Sequence, residues 1–225
     1  MDVPGNRPMM AVIFLAAIAA GFAAGRTTAL LAPIVPRHQE DIALRAFREG
    51  DSRDALPIFL KLAQNGDTKA AYYLGEMYEF GDGTPVNGGE AIHWLSEAAR
   101  AGNVAAARQL GTLYLDGTAT IQDYGKARHW LEVAARGQDT TALVRLGDMS
   151  DKGLGREADP AAAYGYYAAA AARGNAYGLA MRDRIAPGLT PAQQSAGEKL
   201  AMDYQESAAK HESGPAGSAK PGTKG

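Results

Sequence analysis

The sequence predicts an all-α fold, a right-handed α-solenoid of stacked helix pairs. Two observations carry this expectation: the middle of the chain repeats itself, and each repeat divides into two amphipathic helical stretches. Leu74-Gly75 returns as Leu110-Gly111 and again as Leu146-Gly147, a constant shift of 36 residues. The same shift links Gly81, Gly117 and Gly153; Ala91, Ala127 and Ala163; Trp94, Trp130 and Tyr166; Ala98, Ala134 and Ala170; and Asn87, Asp123 and Asp159. So many columns in register over three copies are hard to produce by chance.

The elements follow in chain order. Residues 8–25 carry no charge, with Arg7 before them and Arg26 and Arg37 after. The apolar heart, Met9–Ala24, is 16 residues long, while a comfortable membrane span needs about 17–25. Ala19, Gly21, Ala23 and Gly25 are the small residues a signal peptidase accepts. Residues 1–25 therefore read as a signal peptide that is cleaved or as a signal anchor that is not. Either sends the rest across a membrane, giving a periplasmic or secreted protein or one anchored to the membrane. Residues 26–38 read as a linker.

Residues 39–66 read as an N-terminal capping half-repeat, with a short helix over 39–48 and a second element, 54–66, one period ahead of Asn87–Gly102. Full units are expected at 67–102, 103–138 and 139–174. In the first, Ala70, Leu74, Met77 and Tyr78 share one helical face. Gly81 can close that helix in the left-handed conformation, and Asn87 can cap the next. Ala91, Trp94, Leu95 and Ala98 form the second apolar stripe. Asp123 caps the matching helix of the second unit and Asp159 that of the third, there with Pro160 at the favoured first position. Gly75, mid-helix, costs roughly 1 kcal/mol relative to alanine. Its recurrence predicts a neighbouring helix backbone close by. Residues 175–206 read as degenerate capping helices, 176–185 and 190–206, with Ala196, Leu200, Met202 and Tyr204 available for packing. Residues 207–225 lack large apolar groups and read as disordered.

The pattern A-x-x-x-L-G-x-x-Y-x-x-G-x-G, a polar cap, then K-A-x-x-W-x-x-x-A-A-x-x-G resembles the Sel1-like repeat, a relative of the tetratricopeptide repeat. The first copy shows it as Ala70, Leu74-Gly75, Tyr78, Gly81, Gly83, Ala91, Trp94, Ala98-Ala99 and Gly102. The second shows Ala106, Leu110-Gly111, Tyr114, Gly117, Lys126-Ala127, Trp130, Ala134-Ala135 and Gly137. The third carries Leu146-Gly147, Gly153 and Tyr166, with Ser150 in place of the tyrosine, and Ala119 replaces the second loop glycine of the second copy. The resemblance implies a non-enzymatic scaffold, adaptor or regulator of the cell envelope that binds another protein. It also brings two alternatives, a wall-active or β-lactam-handling hydrolase and a peptidoglycan or carbohydrate binder. The β-lactam-linked relatives are rich in disulfides, and this chain has no cysteine.

Searches for chemistry return little. Without cysteine there is no thiolate zinc site and no thiol nucleophile. His93 and His129 stand one repeat apart, but equivalent positions on stacked helices are about 8–10 Å or more apart, too far for one metal. Gly81-Asp82-Gly83 lacks both a preceding strand and the third glycine of a dinucleotide fingerprint, and Gly83–Gly88 is followed by Gly89 where a phosphate loop needs lysine. No serine lies in a nucleophile-elbow setting. A net charge of −2 gives no electrostatic footprint for nucleic acid. No catalytic, cofactor-binding or metal residue is expected. The candidate site is the concave face opposite Leu74: Lys69, Tyr72, Glu76, Glu79 and Phe80, continued by Arg108, Thr112 and Asp116 and by Asp148. Its expected ligand is a protein or peptide segment.

Overall fold

The computed structural model describes residues 34–212. The expected signal or anchor segment, most of the linker and the tail beyond residue 212 lie outside them. Every α-helix follows the repeat: α1 (Ile34–Glu49), α2 (Ser52–Gln64), α3 (Thr68–Phe80), α4 (Gly88–Arg100), α5 (Val104–Asp116), α6 (Tyr124–Arg136), α7 (Thr140–Asp151), α8 (Pro160–Ala172), α9 (Ala176–Ile185) and α10 (Pro191–Glu212). The odd-numbered helices from α1 to α9 open each unit, and α2, α4, α6 and α8 close it. Each helix packs on its chain neighbours, α2 on α3 and α4 on α5 joining one unit to the next.

The local chemistry explains the boundaries. The carboxylate of Asp67 accepts from the backbone N–H groups of Lys69 and Ala70 at 3.0 and 2.9 Å. Asn103, Asp139 and Asn175 cap α5, α7 and α9 in the same column. Asn87, Asp123 and Asp159 cap α4, α6 and α8 as the sequence suggests. Thr190 and Gln193 exchange bonds across the first turn of α10, a capping box. Gly81 and Gly117 close α3 and α5 in the left-handed conformation. The loops that follow end alike, the N–H of Asn87, Asp123 and Asp159 donating to the carbonyls of Tyr78, Tyr114 and Ser150. Ser150 is fully buried, and Arg156 folds back to donate to its hydroxyl where the other copies hold a tyrosine ring.

The core is the repeat signature itself. Leu74, Leu110 and Leu146 are fully buried, as are Met77, Leu95, Leu131, Met149 and Tyr167. Each large buried side chain contributes about 1.5–3 kcal/mol. Gly75 faces Leu95: a Cβ there would stand 2.5 Å from the leucine Cγ and 3.3 Å from its backbone N. Gly111 meets Leu131 and Gly147 the ring of Tyr167 in the same way. The expected close neighbour is thus chiefly a side chain of the unit's second helix rather than its backbone.

Other expectations also change. Helix α1 begins at Ile34, inside the stretch read as linker, because Pro36 falls in its first turn, where proline is tolerated. Helix α10 runs to Glu212, past the expected start of the tail, since alanine, lysine and glutamate extend a helix already nucleated. It lies across α8 and reaches α6. It packs through Gly197, Leu200, Ala201 and Tyr204, while Ala196 and Met202 face outward. Gly165 and Gly197 let the two helices touch: a Cβ on either would stand 2.6 Å from a carbonyl oxygen of the other helix. In the turn after α6 the positive φ falls on Gln138, at 71°, not on Gly137. Gly137 is kept small by Val104, whose Cγ2 would lie 2.4 Å from an added Cβ.

Candidate functional site

The opening helices of successive units present one common face, and side chains tie each to the next. Lys69 of α3 reaches back to Glu40 of α1 at 2.6 Å. Gln109 of α5 donates to Glu79 of α3. Arg108 Nε of α5 meets Asp139 at the start of α7 at 3.1 Å. Arg184 of α9 pairs with Asp151 of α7, and Tyr177 of α9 reaches Asp148 at 3.4 Å. The Lys69–Glu40 and Tyr177–Asp148 contacts occupy equivalent repeat positions three units apart.

The predicted site residues all lie on these opening helices, in two groups. The first is committed to internal bonds. Tyr72 is half-buried and donates to Glu76 at 2.7 Å, and burial together with that carboxylate raises its phenol pKa. Burial raises the carboxyl pKa of Glu79 despite the opposing bond from Gln109. The carboxylate of Glu40 raises the ammonium pKa of Lys69. Thr112 donates to the carbonyl of Arg108. Asp148 accepts from Tyr167 at 2.6 Å as well as from Tyr177. The second group is open: Phe80 is 63% exposed, and Asp116 is exposed at the end of α5.

Asp116 and Asp148 border a cleft of about 380 Å³ between α5 and α7, along with Leu115, Arg145, Lys152 and Leu154. Sequence reasoning missed Arg145 and Lys152 as site residues. The signal was in the columns, since Arg145 stands one period after Gln109 and Lys152 one period after Asp116. His93 and His129 are exposed on the closing helices and stand edge-on to Trp94 and Trp130 at 4.8 and 5.0 Å. Among the described residues no group of three histidine or acidic side chains could hold a metal ion.

Comparison with known proteins agrees with this architecture. The Sel1 repeat model matches residues 68–103, 104–139 and 140–175, one residue later than the units read from the sequence. A Sel1 repeat protein from Oxalobacter formigenes is 26% identical with a TM-score of 0.61, over 78% of this chain and 73% of that one. A protective antigen of uropathogenic Escherichia coli strains, described as displaying an SLR fold, is 24% identical with a TM-score of 0.51. That match covers 81% of this chain but 50% of the antigen, so the chain spans half the antigen's length. No curated protein matches. Three consecutive repeats at one period, on a fold shared with solved Sel1 structures, make this chain a Sel1-like repeat protein.

Proposed function

We propose that the protein is a non-enzymatic scaffold or adaptor that holds a segment of another protein along the concave face formed by α3, α5 and α7. Sel1 repeats are interaction modules, and this face supports the role chemically. Its polar groups bond one another and keep the surface rigid, while Phe80 stays 63% exposed at its edge. An exposed aromatic on a preorganised surface is the kind of residue that anchors a partner. That observation carries the reading. The uncharged stretch of residues 8–25 extends it, placing the solenoid on the far side of a membrane, in the cell envelope. No helix among the described residues is long and apolar enough to cross a membrane.

The test is capture of envelope proteins on the immobilised full-length chain, with and without Phe80→Asp. Loss of a specific captured protein, with an unchanged melting curve, supports the reading. Capture indifferent to Phe80→Asp, and to Tyr72→Ala combined with Glu76→Ala, contradicts it.

A further inference from the structure

The ladder between the opening helices has a gap. Glu79 on α3 receives Gln109, and Asp151 on α7 receives Arg184, but the position between them in the repeat is Leu115. Arg145, the equivalent of Gln109, therefore faces a leucine instead of an acid. It is half-buried, and it makes no hydrogen bond or ion pair with any described residue. Two turns further along α7, Lys152 borders the same cleft and is equally unpaired. A guanidinium partly withdrawn from water without an acceptor is costly to hold, and a carboxylate relieves that cost with two parallel bonds.

We propose that this cleft between α5 and α7 is an anchoring subsite for the acidic side chains of a partner segment; the proposal rests on the concave face being the partner surface. Arg145 takes one carboxylate and Lys152 a second, while Leu115 and Leu154 form an apolar wall for an intervening aliphatic side chain. The occupant is an internal segment rather than a chain end. The face continues on both sides of the cleft, so a chain laid along it passes through. Asp148 does not compete for the cations, because its Oδ1 already accepts from Tyr167 and Tyr177. Asp116 at the rim opposes an acidic ligand, which gives the proposal a second sign to test.

The experiment is fluorescence anisotropy on the full-length chain, with end-capped peptides of alternating glutamate and leucine. The controls are the same peptide with glutamine for glutamate, and an uncapped glutamine–leucine peptide whose only carboxylate is its C-terminus. The capped acidic peptide is expected to bind and the controls not. Arg145→Gln with Lys152→Gln should weaken binding about tenfold, the scale of one lost charge-assisted hydrogen bond. Asp116→Asn should tighten it. Leu115→Glu, which gives Arg145 the acidic neighbour its equivalent has, should abolish binding without lowering the melting temperature. No binding of the acidic peptide, equal binding by the double variant, or preference for the uncapped neutral peptide overturns the proposal. If the peptide fails while partner capture still depends on Phe80, only the acidic subsite falls and the scaffold reading stands.

Discussion

Both terminal nitrogens of Arg128 are buried without a hydrogen-bond partner. The same position is Ile92 in the first unit and Tyr164 in the third, so the site accommodates an uncharged side chain elsewhere in the stack. Arg128→Ile is expected to stabilise the protein by about 1–3 kcal/mol, the cost of an unsatisfied buried polar group. Urea denaturation measures it, and a loss of stability would show that the charge does structural work. Glu79 makes a related prediction with a pH signature. Its folded carboxyl pKa is raised above the ordinary 4.5, chiefly by burial. The folded state then holds the proton to higher pH than the unfolded chain does. Stability from this group is therefore full at acid pH and falls as pH rises through the raised value. Glu79→Gln keeps the shape and removes the charge, so it should melt higher than the parent at neutral pH. The difference should vanish below about pH 4, where the parent carboxyl is protonated in both states. A melting difference that does not change with pH would contradict this account.

At the scale of elements, the loop edge shows how neighbouring units accommodate one another. The second loop residue of each unit presses on the first residue of the preceding unit's closing helix. The pairs are Gly83 on Ser52, Ala119 on Gly88, and Gly155 on Tyr124. Where the loop holds alanine instead of glycine, the helix it meets supplies the glycine. A Cβ at Gly88 would stand 2.2 Å from the carbonyl oxygen of Ala119. Gly88→Ala is accordingly expected to cost about 1–3 kcal/mol, as overpacking does. Adding Ala119→Gly should recover part of that, because the loop can then take the left-handed path of Gly83 and Gly155. Additive effects in the double-mutant cycle would refute the coupling. This pairing explains the departure at Ala119 that the sequence showed but could not interpret. The helix-ending glycines and the Asn87, Asp123 and Asp159 caps were legible because they are local signals tied to a period. The course of α10 was not, because it depends on a contact between Gly165 and Gly197 that is distant in sequence. A hint lay in α8, whose sequence PAAAYGYYAAAAA has no polar face, as a helix covered on two sides must.

The whole molecule is a one-dimensional stack in which each unit is held by its neighbours. The repeat period made that architecture readable from sequence, since six columns in register constrain every helix at once. The candidate site was only partly readable. A helical wheel placed Tyr72, Glu76, Phe80 and Asp116 on the correct helices, but it could not show which side chains spend their polar atoms on one another. Nor could it show that Arg145 and Lys152 are left over, because that depends on distances across neighbouring units. The central claim is that partners meet the face of the opening helices. Its most direct measurement places a photo-cross-linking amino acid singly at Phe80, Asp116 and Lys152 on that face, and at His93 and His129 on the closing helices, in the full-length chain within its own cells. The account predicts one partner cross-linked from the first three positions and not from the two histidine positions. Adducts formed from His93 and His129 alone would contradict it.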